Sequence, residues 1–113
     1  MVYSRPYNFP TPFTVTANKT LADDDAFSLQ YCTNASAIAI TVPADATFNL
    51  PVWTTIEVQR DGAGTVTFTA AAGVVIRRLG STATTGHQIV GQYTTCYLRK
   101  IAANEWRIFG AIA

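Results

Sequence analysis

At 113 residues and 12.2 kDa, the chain is the size of one domain with a thin core. Only 13% of its residues are charged and the net charge is +1, too few cations for a phosphate-binding surface, so no nucleic-acid partner is expected. No apolar run approaches the length of a bilayer span, so no membrane partner is expected either.

The composition favours strands. Thr, Val and Ile make up 34 residues, and their branched side chains pack better on a pleated sheet than in a helix. A weakly charged surface rich in Thr and Ala suits contact between subunits. Residues 1–12 (MVYSRPYNFPTP) read as an extended arm, because the prolines hold the backbone extended and remove donors. Tyr3, Tyr7 and Phe9, with Phe13 just beyond, are the candidate attachment residues. The arm either folds back on residues 13–113, the single β domain, or lies on a neighbouring subunit. No secretory leader is expected from an N-terminus carrying Arg5 and these prolines.

From Phe13 onward the alternation predicts short strands over 13–16, 27–31 and 38–42. Residues 44–53 read as a crossing loop, with Phe48, Leu50 and Trp53 as core plugs. The triplet Asp23–Asp25 reads as turn chemistry, and it lacks the interleaved oxygens of a calcium loop. Further strands are expected over 56–60 and 65–69, joined as a hairpin through Asp61-Gly62-Ala63-Gly64. Gly73 precedes a strand at 74–77, and Gly80–Gly86 reads as a polar loop before a strand near 88–92. The last pair, 94–101 and 106–112, puts Trp106, Ile108, Gly110 and Ile112 on one face. Eight or nine strands without a helix or an internal repeat predict an all-β fold, an antiparallel β-sandwich or a small jelly-roll-like barrel.

The chain offers little to chemistry. His87 is the sole histidine and is expected to be exposed in its loop, with no recognisable nucleophile and base around it. Cys32 and Cys96 match no metal spacing and read as buried thiols or as one disulfide. Glu57 and Glu105 read as polar strand and turn positions and not as a glycosidase pair. No catalytic, cofactor or metal site is therefore expected. Tyr31, Trp53, Tyr93 and Tyr97 are candidates for a sugar-stacking face, or else pack in the core or against a subunit.

Six segments carry a resemblance. They are Leu21 to Asp25, Ala37-Ile-Ala-Ile-Thr-Val-Pro43, Thr55 to Thr69, Ala71 to Ile76, Thr95-Cys-Tyr-Leu-Arg-Lys100, and Asn104-Glu-Trp-Arg-Ile-Phe-Gly110. In this order and spacing the chain resembles a family of small β domains in tailed-bacteriophage virion proteins: tail fibres, head fibres and capsid decoration proteins. The resemblance implies a non-enzymatic virion protein, oligomeric and often trimeric, assembled in the host cytoplasm. Its structural positions here are Gly62, Gly64, Gly73, Trp106 and Gly110. Read as a whole product with a short arm, the chain is expected to be a cement protein bound to the major capsid protein. The alternative is a tail-fibre domain that recognises a host glycan.

Overall fold

The computed structural model describes residues 10–113. Nine strands and one short 3-10 turn follow in chain order: β1 Thr11–Val15, β2 Lys19–Thr20, the turn Asp23–Asp25, β3 Ser28–Cys32, β4 Ile38–Val42, β5 Thr55–Arg60, β6 Val66–Ala70, β7 Val75–Arg78, β8 Thr94–Ala102 and β9 Glu105–Gly110. They form a six-stranded sheet in the order β1-β3-β5-β8-β9-β7 and a three-stranded sheet in the order β2-β4-β6. The fold is therefore all-β, as the composition leads one to expect. Thr11 and Pro12 already belong to β1, so the sheet begins two residues before the expected domain boundary at 13.

The pairing differs from the expectation. From β1 to β6 the chain alternates between the two sheets, and β1–β3, β3–β5, β2–β4, β4–β6 and β7–β9 pair in parallel. Only β5–β8 and β8–β9 are antiparallel. The expected antiparallel arrangement is thus corrected, over β1 to β6, to a winding in which each turn of chain lays one strand in each sheet, after which β7, β8 and β9 all join the larger sheet. Phe13 lies beside Gln30, and Gln30 beside Val58, while Ile38 lies beside Val66. The spacing between partners is unequal from turn to turn, which is why no sequence repeat announces the winding.

The Asp61–Gly64 segment is likewise not a hairpin. It carries the chain from β5 in one sheet to β6 in the other, and stacks on the corresponding corner one turn earlier. Asp61 and Gly62 donate their N–H groups to Cys32 O at 2.8 and 3.0 Å, and Gly64 N–H donates to Asn34 O at 3.0 Å. The corner before it is tied the same way, with Thr33 N–H donating to Val15 O at 3.0 Å.

Alternation places the core. Ile38, Ile40 and Val42 point inward from β4, as do Ile56 and Val58 from β5, Val66 and Phe68 from β6, Leu98 from β8, and Trp106 and Ile108 from β9. All belong to one apolar cluster to which both sheets contribute. A strand predicted near 88–92 is reduced to isolated bridges, Thr67 to Gln88 and Ile89 to Ile112. Leu50 is buried as expected, but Trp53 is 64% exposed and is no core plug.

Two polar clusters are built into this interior. Asp25 accepts from Lys19 Nζ at 2.9 Å, from Gln30 Nε2 at 3.0 Å and from the Ala22 N–H at 2.9 Å. Ser28 completes that group, accepting from Gln30 Nε2 and donating to Asp25 O. Lys100 is fully buried, and donates to Asp45 Oδ1 at 2.7 Å, Asn49 Oδ1 at 3.1 Å and Leu50 O at 2.6 Å. Charges out of water are tolerated only when paired and hydrogen-bonded in this way. Arg99 and Lys100, adjacent in sequence, are therefore split between the two faces of β8.

Candidate contact face

The outer face of the six-stranded sheet gathers most of the residues with something to offer a partner. Because Gln30 and Cys32 point inward on β3, Leu29 and Tyr31 point outward. The same alternation turns Glu57 and Gln59 outward on β5, Thr95, Tyr97 and Arg99 on β8, and Arg107 and Phe109 on β9. Register then sets them in rows. One row runs Tyr31, Gln59, Thr95, and the next runs Leu29, Glu57, Tyr97, Phe109. A third runs Thr55, Arg99, Arg107, Arg77.

The rows are held by local contacts. Tyr31 Oη donates to Asp61 Oδ2 at 2.6 Å and Gln59 Nε2 donates to Asp61 Oδ1 at 2.8 Å. These two donors hold the Asp61 carboxyl below its ordinary range, and the same bond to a carboxylate raises the Tyr31 hydroxyl. Tyr97 and Phe109 stack with ring centroids 5.4 Å apart, and the Arg99 guanidinium lies 4.8 Å from the Phe109 centroid. Thr95 Oγ1 donates to Glu57 Oε2 at 3.0 Å.

Three exposed aromatics stand at the ends of strands in this sheet, each with a left-handed backbone: Phe27 (φ 56°) before β3, Trp53 (φ 76°) before β5 and Tyr93 (φ 66°) before β8. Bulky residues rarely adopt this conformation and pay on the order of 1 kcal/mol to hold it. Here it is held by the backbone: Trp53 N–H donates to Lys100 O at 2.7 Å and Tyr93 N–H donates to Arg60 O at 2.6 Å. Of the four candidates for a sugar-stacking face, Tyr31 and Tyr97 share the sheet face, while Trp53 and Tyr93 stand at opposite ends of it.

The remaining expected positions fall elsewhere. Tyr3, Tyr7 and Phe9 lie outside the described residues. Phe13 is half-buried on β1, with Lys19 Nζ 4.8 Å from its ring centroid. Gly73 takes a φ of 85° in open space before β7, Trp106 is buried, and Gly110 takes a φ of 106° against Cys96.

His87 is a correction. It is only 2% exposed, because its main chain bridges the free edge of β6: Phe68 N–H donates to His87 O at 3.0 Å. Its Nε2 lies 2.8 Å from Ile76 O, which can only accept, so the proton sits on Nε2. With Phe68, Ile76, Thr84, Thr85 and Gly86 it lines a cavity of about 240 Å³. Cys32 and Cys96 are both buried and unbonded thiols. Burial pushes Cys32 up to about 11 and raises Cys96 further still. Glu57 and Glu105 lie two rows apart on the sheet face, with the row of Arg99 and Arg107 between them, and are engaged with Thr95 and Arg107 respectively. Among the described residues no group of three or more His, Cys, Asp or Glu side chains converges as a metal-binding cluster would.

Alternation on the strands could have located the sheet face, since Tyr97, Arg99, Arg107 and Phe109 all fall at outward parity. The in-register alignment of the arginines depends on pairings that no local pattern carries. No family model, no curated protein and no solved structure matches this chain.

Proposed function

We propose that this domain is a non-enzymatic structural protein of a bacteriophage virion, a decoration protein that attaches to the capsid shell and works through surface contact. In this reading the two sheets close face to face around their shared core, giving a rigid body that presents one broad sheet face. The observation that carries the reading is the trio Phe27, Trp53 and Tyr93. Each is more than half exposed, and each is held in a backbone conformation that costs a bulky residue free energy. Apolar side chains kept in water at such a cost are suited to burial against a partner. The resemblance to virion β domains supplies the partner class, the major capsid protein, with copies of the chain itself as lateral neighbours in a trimer.

A second reading has its own observation. The stacked Tyr97–Phe109 pair beside Arg99 is a surface on which a sugar ring could lie, which favours a tail-fibre domain that binds host glycan.

Mixing the purified protein with capsids stripped of accessory proteins, then sedimenting and imaging the particles, tests the first reading. Saturable, regular density over the shell is expected. Density confined to the tail, or none, would transfer the assignment to the glycan reading. Deleting residues 2–9, which spares β1, tests the arm separately: the domain is expected to fold and to lose attachment.

A further inference from the structure

The third row of the sheet face places three arginines on neighbouring strands side by side. Arg99 on β8 is paired with Arg107 on β9, and Arg107 with Arg77 on β7, all three on outward positions. Strands lie about 4.8 Å apart, so the backbone positions of the three span roughly 10 Å in a line. Like charges directly opposite one another across strands destabilise a sheet. Local partners relieve this only in part. Arg107 Nη1 meets Glu105 Oε1 at 3.2 Å, Arg99 lies on the Phe109 ring, and Arg77 donates to Thr82 O at 3.2 Å. One carboxylate thus serves three guanidiniums.

We infer that this arginine row is a docking surface for a carboxylate-bearing protein surface. Charge decides the sign of the partner: a row with two unneutralised guanidiniums selects acidic groups, and the planar fork of arginine binds carboxylates through two parallel bonds. Shape decides the class. The outer sheet face is broad, about 24 Å across six strands and some 18 Å along them, wider than a site that would enclose a sugar. Arginine and aromatic side chains together are the composition enriched at the centres of protein–protein interfaces. The face alone falls short of the roughly 800 Å² per partner of a stable interface, and the exposed Phe27, Trp53 and Tyr93 at its strand ends extend it. A second copy of this chain seated with the row on the twofold axis would set arginine against arginine, which favours a different protein as the partner. The inference deepens the attachment reading and rests on it for the partner's identity, while its test needs no particles.

Immobilised poly-L-glutamate supplies carboxylates on a polypeptide, and polygalacturonate supplies them on a sugar chain. The intact protein is expected to bind poly-L-glutamate, less as salt rises. The Arg99→Gln/Arg107→Gln pair, and separately Arg77→Gln, should weaken binding, the pair by about tenfold. Arg60→Gln, which removes the same charge away from the row, should leave it within about twofold. Thermal melts of each variant identify any that fail to fold, and Arg77→Gln, at the sheet edge, carries the test if the pair does. Unchanged binding by the row variants, or no binding by the intact protein, overturns the inference. So does tighter binding to polygalacturonate, which would assign the row to a glycan, or concentration-dependent self-association abolished by the same variants. Any of these results can stand beside saturable shell binding, so the two readings fail independently.

Discussion

A methyl group added at Gly62 would sit 2.2 Å from the carbonyl oxygen of Asn34, and one at Gly64 the same distance from that of Ser36. Both neighbours are backbone of the preceding corner and cannot rotate away. Either glycine replaced by Ala should destabilise the protein by about 3 kcal/mol, at the upper end for overpacking, as read by urea unfolding. Gly91→Ala is the control, since it meets nothing within 4 Å and its φ is ordinary, and it should be neutral within about 1 kcal/mol. The thiols give a second expectation at this scale. Cys32 and Cys96 are buried and held protonated, so neither should react with a thiol reagent at pH 8 in the native protein, and both should react after unfolding. The folded state binds protons that the unfolded chain releases above its ordinary thiol range. Stability contributed by Cys32 is therefore complete below about pH 9 and falls as pH rises towards 11, which a pH series of melting temperatures would show. Gly62 and Gly64 are legible as a turn from their sequence. The reason for them is not, because it is close approach to another segment and not a positive φ.

At the scale of elements, the crossing segment between β4 and β5 depends on a single strand residue. Lys100 reaches it through Asp45, Asn49 and Leu50, and Asp45 also accepts from the Asn104 N–H at 3.1 Å, closing the turn between β8 and β9. Lys100→Met keeps the length of the side chain but strands Asp45 and the Leu50 carbonyl. It should cost about 3 kcal/mol and speed amide exchange across residues 44–53. A signal for this was present in the sequence. With Cys96 and Leu98 inward, parity puts Lys100 inward too, and only its charge argued for solvent. His87 was missed for a different reason: a polar, glycine-flanked loop says nothing of the bridge that draws its end onto β6. Strands 38–42 and 55–60 were legible because their alternation is unbroken. β2, at two residues, is too short for any period to mark.

At the scale of the molecule, inward and outward positions alternate identically in parallel and antiparallel strands. Composition could therefore identify the class of fold and the buried face of each strand, but not which strands are neighbours. Parallel partners separated by whole turns of chain make most contacts non-local, and loop closure must precede the contacts that reward it. Refolding by stopped-flow fluorescence, with buried Trp106 as reporter, should proceed on the millisecond-to-second scale or slower.

The strand order has a consequence for a chain made from its N-terminus. β3 can settle on β1, β4 on β2, β5 on β3 and β6 on β4, each arriving to find its partner already made. β7 breaks that sequence. Its sheet partner is β9, the last strand, so residues 75–78 leave the ribosome with no edge to join. The first two-thirds of the molecule can assemble as it is synthesised, whereas the arginine row, shared by β7, β8 and β9, comes into being only once the chain is nearly complete.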